Sequence, residues 1–169
     1  MSVKNKIRRL YVRFLAKMLK EKASPEYIAR GWAIGMFFGC LIPFGFQLIC
    51  SIPTAFLLKG SKIGATLGTF LTNHVTIFVI YPVQCYVGNK LIGGKLTYDN
   101  IRDAMGRVLA NQDYQTLFGL GWDLVISFFI GAAILTAITT PITYWGVLTA
   151  VRRHRANKAA RAKLRASRA

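Results

Sequence analysis

Hydrophobic positions along this chain gather into three blocks, and each block carries a break in its own pattern. The first, residues 31–58, holds 28 residues with no formal charge, and Gln47 is its one strongly polar side chain. One continuous helix of that length would measure about 42 Å, well beyond a hydrocarbon core of about 30 Å. Pro43-Phe44-Gly45 stands near its middle, and proline both removes an intrahelical donor and clashes with the preceding turn. The block therefore reads as two apolar arms, residues 31–42 and 46–58, joined by a break at membrane depth. The second block, residues 63–88, is interrupted by Thr72-Asn73-His74 and again by Pro82. The third, residues 117–151, has Trp122 and Trp145 near its ends and Asp123 and Pro141 within its pattern.

The polar segments carry their own periodicity. Val3, Ile7, Leu10, Tyr11, Phe14 and Met18 recur at helical spacing, with Lys4, Arg8, Arg9, Arg13 and Lys17 on the remaining face. That pattern predicts an amphipathic helix over residues 1–23 lying in a membrane interface, its cations toward lipid phosphates. Ser24-Pro25-Glu26 then supplies an N-cap, a first-turn proline and an acid at the positive dipole end. Gly31, Gly35 and Gly39 recur every fourth residue and predict a smooth face for close helix approach. Arg30 is placed to reach outward, and Trp32 to sit in an interfacial belt. In the connector, residues 89–116, Thr97 or Asp99 can cap a short helix with Ile101, Met105, Val108 and Leu109 as its stripe. Residues 152–169 are rich in Ala, Lys and Arg and lack a stripe, which suits a solvated helix or a disordered basic tail.

Charge sharpens this picture. The 169 residues include 23 Lys and Arg against 6 Asp and Glu, a formal net charge of +17, yet 53% are hydrophobic. The charge collects at the two ends and leaves the apolar middle almost bare. The expected fold class is all-α: a polytopic helical membrane protein with broken or re-entrant helices and an N-terminal amphipathic interfacial helix. The membrane domain spans residues 24–151. Basic ends place both termini on the cytoplasmic side, which requires an even number of crossings. Three blocks satisfy that count if one enters and leaves on the same side: residues 31–58, whose arms are each too short to span, are the best candidate, and residues 63–88 could equally take that role, or both. Cys40, Cys50 and Cys85 sit inside apolar runs without metal-ligand or redox spacing, and read as small hydrophobes in packed helices.

Two discontinuous apolar segments are the sequence pointer to a transporter-type site, because peptide groups freed at a break must meet protein or enclosed water. The second arm's start, near Gly45–Gln47, favours anions through its open N–H groups and dipole. Candidate ligand-binding residues are Pro43, Gly45, Gln47, Asn73, His74 and Thr76. The competing reading is that Gln47 and Asn73 cap the broken ends and lock two hairpins together. Enzyme chemistry finds no support: no carboxylate pair lies inside the apolar blocks, and there is no Cys/His cluster, phosphate loop or nucleophile elbow. No catalytic residue, metal or cofactor is expected.

The run Ser24-Pro25…Ala29-x-Gly31-x-Ala33-x-Gly35, then Phe38-Gly39…Pro43-x-x-x-Gln47, then Leu67-Gly68-Thr69…Asn73-x-x-Thr76…Tyr81…Gly88 resembles the bacterial membrane family called domain of unknown function 2062. The likeness is densest from Pro25 to Gly88. Members usually carry Asn-Pro where this chain has Asn73-His74, and an Arg-x-Asn-like turn where it has Lys59-Gly60-Ser61-Lys62. The resemblance implies a small integral inner-membrane protein of prokaryotes, in some relatives joined to glycosyltransferases, and supplies no established activity.

The expectation is a non-catalytic protein that binds or translocates an anionic lipid or lipid-linked phosphate at the broken helix. The alternative is a membrane scaffold or adaptor recruiting a cell-envelope enzyme through its basic termini. Expected partners are membrane lipids with anionic headgroups, and either a membrane enzyme or a second copy of the chain. Nucleic acid is disfavoured, since the basic tail lacks interleaved aromatics and a folded reading element.

Overall fold

The computed structural model describes residues 23–43, 45–70, 76–111 and 122–167. The predicted interfacial helix, with Lys4, Arg8, Arg9, Arg13 and Lys17, lies outside the described residues, as do Asn73 and His74. Every regular element among the described residues is helical: α1 (Pro25–Leu41), α2 (Gln47–Leu57), α3 (Lys62–Thr69), α4 (Ile77–Leu91), α5 (Tyr98–Asn111) and α6 (Trp122–Ala166).

Local chemistry accounts for the ends of these helices. Ser24 Oγ accepts the Tyr27 N–H at 3.2 Å at the head of α1. The helix stops at Leu41 because Ile42, pushed by the coming proline, is extended at φ −100°, ψ 134°. Gly45 turns the chain at φ 107°, a backbone angle that a side chain resists, and α2 follows. α2 closes with paired bonds, Gly60 N–H to Ala55 O at 2.7 Å and Lys59 N–H to Phe56 O at 3.2 Å, with Lys59 itself at φ 51°. α4 ends the same way through Gly93 and Gly94, whose N–H groups donate to Lys90 O and Asn89 O.

The first apolar block is bent back on itself. Ser61 N–H donates to Tyr27 O at 2.9 Å, and Arg30 Nη1 reaches Leu58 O at 3.4 Å. A Cβ on Gly60 would lie 3.0 Å from the Gly31 nitrogen. The end of α2 thus returns to the start of α1, with the break at the far end of the hairpin. Arg30 is exposed, as expected of a side chain reaching outward, and its guanidinium also meets the Leu58 carbonyl at the end of α2.

α3 starts at Ser61, whose Oγ accepts the Gly64 N–H at 2.8 Å, and packs along α1. The predicted glycine face is what admits it: a Cβ on Gly35 would lie 2.8 Å from Gly68 Cα, and one on Gly68 would lie 2.6 Å from Trp32 O. Trp32, expected in an interfacial belt, is not on the outer surface. It is 5% exposed and packs with Ile28, Leu67 and Val151, because Gly64 and Gly68 leave room for an indole between helices. Trp122 and Trp145, at 70% and 63% exposed, do face outward.

α6 binds the rest together. Its C-terminal half runs antiparallel to α1: Cys40 lies beside Thr139, Ile28 and Trp32 pack on Val151, and Glu26 pairs with Arg152 at 2.6 Å. Arg155 then donates to Ala23 O. Its N-terminal half crosses α4 at two glycines, where a Cβ on Gly88 would press on the Ser127 carbonyl and one on Gly131 on the Gln84 carbonyl. α5 folds onto α4, so that Ile101, Ala104 and Met105 join Ile77, Tyr81, Cys85, Leu124 and Phe128 in one core. The Val108 and Leu109 side chains, expected on that stripe, lie outside the described residues. Pro82 and Pro141, expected to interrupt their blocks, sit inside α4 and α6 without ending either. Asp123 falls in the first turn of α6, where a carboxylate meets the positive dipole end. The basic tail is helical through Ala166.

Candidate functional site

The break between α1 and α2 is organised by Gln47. Its side chain is 4% exposed, and Nε2 donates to Gly39 O at 2.9 Å, Ile42 O at 3.1 Å and the Tyr81 hydroxyl at 3.3 Å. Tyr81 in turn donates to Ile42 O at 3.4 Å. Carbonyls at the end of a helix have no intrahelical donor, and buried ones need one from elsewhere. Gln47 supplies it from the first turn of the next helix, and Tyr81 from α4.

The six candidate residues divide accordingly. Pro43, Gly45 and Gln47 meet at the break: proline ends α1, glycine turns the chain, and the amide covers the exposed carbonyls. Thr76 heads α4 and accepts the Val79 and Ile80 N–H groups through its carbonyl, five residues before Tyr81. Asn73 and His74 lie outside the described residues. Of the two readings left open by the sequence, the capping one describes what the Gln47 amide does.

Tyr81 is the residue that periodicity undervalues. With Gln84, Cys85 and Gly88 it falls at i, i+3, i+4, i+7, one face of α4, and all four are buried. Its ring meets Phe128 edge-on at 5.1 Å, which ties the break to α6. Gln84 is 2% exposed and its Nε2 donates to Phe128 O at 3.3 Å. The signal was a polar residue on the same face as a glycine inside an otherwise apolar helix.

Among the described residues, several helices enclose polar or small side chains beside apolar ones and turn large apolar side chains outward. The enclosed face of α2 is Gln47, Ser51 and Ala55, while Ile49, Phe56 and Leu57 point outward at 66–75% exposure. α4 encloses Gln84, Gly88 and Asn89 and turns out Val79, Val83 and Leu91. On α6, Ser127, Gly131 and Thr136 lie inward, with Ile138, Ile142 and Trp145 outward. α6 is the one described helix long and apolar enough to cross a membrane, by length and composition.

Elsewhere, Cys40 and Cys85 are buried, Cys50 is half-buried, and all three are free thiols. Among the described residues no group of three or more His, Cys, Asp or Glu is placed to hold a metal ion. Outside the apolar segments, the Arg152 guanidinium holds the Glu26 carboxyl below the usual carboxylate range. A separate open cleft lies between α4 and α5, lined by Phe78, Val79, Tyr98, Arg102, Asp103, Gly106 and Arg107.

No curated protein and no solved structure matches the chain. A family model does, over residues 8–160, and its description reads "Uncharacterized protein conserved in bacteria". That match covers nearly the whole chain, so this all-helical protein belongs to the bacterial family DUF2062.

Proposed function

We propose that this is a multi-pass protein of the bacterial inner membrane, without catalytic chemistry, that holds or moves a lipid-linked phosphate at the break between α1 and α2. In this reading α1 and α2 form a re-entrant hairpin. α3 and α4 together make one discontinuous crossing, and α6 makes the second. Both basic ends then lie on the cytoplasmic side, in keeping with the charge at residues 152–165 and with the contact of Glu26 and Ala23 with Arg152 and Arg155.

The observation that carries the membrane reading is the set of large apolar side chains left on the outer surface. Water would penalise an outer surface of Ile49, Phe56, Leu57, Val79, Ile142 and Trp145, whereas lipid accepts it. The phosphate-binding part is supported by the field at the break. Gln47 covers the negative end of α1, while the positive ends of α2 and α4 begin on either side of the Gln47–Tyr81 bond. Helix N-termini aimed at an anionic group from discontinuous helices are a recurrent transporter device.

The experiment is reconstitution into vesicles doped with a polyprenyl phosphate, followed by alkaline extraction and measurement of retained phosphate lipid. The full chain should resist extraction and retain the lipid, and Asn73→Ala and Thr76→Ala should lose retention while unfolding at the parent's temperature. Parent-like retention in both variants removes the break as the site, and extraction of the parent by alkali removes the membrane reading itself.

A second reading, the scaffold, draws on α6. The helix continues 15 residues past Val151 and carries Arg152, Arg153, Arg155, Lys158, Arg161 and Lys163 on a rod about 22 Å long. Deleting residues 152–169 would then abolish capture of an acidic partner enzyme and leave membrane insertion intact.

A further inference from the structure

The cleft between α4 and α5 has a composition unlike the break. Its volume is about 810 Å³, within the range of small-molecule sites. One wall is apolar: Phe78 and Val79, on the outward face of α4, are 42% and 63% exposed. The other wall is the polar face of α5, whose opposite face buries Ile101, Ala104 and Met105. That wall carries Arg102 and Arg107 against a single acid, Asp103. Among the described residues neither arginine is within ion-pair distance of a carboxylate. Gly106 lies between them, with nothing within 4 Å of where its Cβ would stand. The rim continues through Tyr98, whose ring meets Tyr86 at 5.7 Å, and Lys90, whose ammonium lies 5.6 Å from the Tyr86 ring centre. Tyrosines interleaved with lysine mark headgroup level in a membrane protein.

The Tyr98 end of the cleft is the one nearer that level, while Phe78 and Val79, two and three residues past Thr76, lie toward the break. The core under α5 includes Phe128 of α6, and Phe128 is 24 residues from Arg152, the partner of Glu26 at the other end. Along one helix that separation is about 36 Å, enough to cross a hydrocarbon core of about 30 Å. The Tyr86–Tyr98 end of the cleft, which packs on the Phe128 core, is thus separated from the Glu26–Arg152 pair by about the thickness of a hydrocarbon core.

We propose that this cleft is a binding site for an anionic glycerophospholipid, separate from the break. Arg102 and Arg107 hold the phosphate through charge-assisted hydrogen bonds, and an acyl chain lies along Phe78 and Val79. Asp103 in the same wall opposes anions but leaves the site net positive, and it can accept a hydrogen bond from a headgroup hydroxyl. The proposal rests on the membrane reading and is independent of what the break binds.

The test is lipid retention by the full chain in detergent, read by native mass spectrometry with phosphatidylglycerol, phosphatidylcholine or inorganic phosphate added. The parent should keep phosphatidylglycerol over both of the others. Arg102→Gln with Arg107→Gln should lower that retention by about tenfold or more, since two charge-assisted bonds are lost. Gly106→Leu, which keeps both charges and fills open space, should lower it as well. Arg152→Gln with Arg153→Gln removes equal charge from the tail and should leave it unchanged. Parent-like retention in the Arg102/Arg107 pair, equal loss in the Arg152/Arg153 pair, or equal binding of inorganic phosphate overturns the proposal. Flotation of the same proteins with vesicles of equal parts phosphatidylcholine and phosphatidylglycerol separates the two ideas: a parent that fails to float sinks the membrane reading, whereas one that floats but whose phosphatidylglycerol retention ignores the arginine changes sinks the cleft alone.

Discussion

Pro43 and Pro141 both stand inside long apolar segments, yet the first ends a helix and the second does not. α6 runs on both sides of Pro141, as α2 does of Pro53 and α4 of Pro82. Around Pro141 the Thr136 and Thr139 hydroxyls bond back within the helix to Ala132 O and Leu135 O at 2.6 Å and 2.7 Å. At Pro43 two further things happen. Gly45 takes a φ of 107°, which redirects the chain, and Gln47 crosses back to the carbonyls of Gly39 and Ile42. Proline alone loosens a helix; a glycine that turns and an amide that caps convert the loosening into a hairpin.

This difference can be broken from either side. The largest effect is expected at Gln47→Leu, which keeps the volume but strips a donor from two carbonyls and from Tyr81. The cost should be about 3 kcal/mol, read by denaturant unfolding in detergent micelles, with Gln47→Glu no better because a carboxylate cannot donate. Gly45→Ala should cost about 2 kcal/mol by forcing a side chain into the left-handed region. Tyr81→Phe removes one hydroxyl and keeps the ring on Phe128, so about 1 kcal/mol is expected. Pro141→Ala, by contrast, should shift stability by less than about 1 kcal/mol and leave α6 continuous. If Pro141→Ala matched Gln47→Leu, the distinction between the two prolines would fail.

The smallest effect concerns the ends. Glu26 is held below its usual value of 4.5 by Arg152, so its contribution is present above that value and is lost as pH falls through the lower folded one. Because the pair is exposed, the loss should be slight, and salt should mimic it. Melting curves from neutral pH down to about 3 check this: Arg152→Gln should flatten that slope, and an unchanged slope would contradict the assignment.

How much of this was legible in the sequence follows from the same residues. The break and its two arms could be read because a proline and a glycine two residues apart are local information. The α1–α3 approach could be read because Gly31 and Gly35 keep one helical face. Pro82 and Pro141 were misread as interruptions because neither is followed by a glycine that turns the chain, so each helix continues past its proline. Trp32 was misread because its burial depends on glycines more than thirty positions away. Gln47 was found as an oddity in an apolar run, but its role needed Tyr81, and only folding brings α4 to the break.

In the proposed topology residues 31–58 enter and leave on one side of the membrane. This is tested most directly by impermeant maleimide labelling in oriented membrane vesicles. The chain carries alanine at positions 40, 50 and 85, and one new cysteine at a time through Lys59→Cys, Lys95→Cys or Lys158→Cys. The cysteines at 59 and 158 should label in the same vesicle orientation and the one at 95 in the opposite one. Labelling of position 59 together with position 95, and opposite to 158, would contradict it.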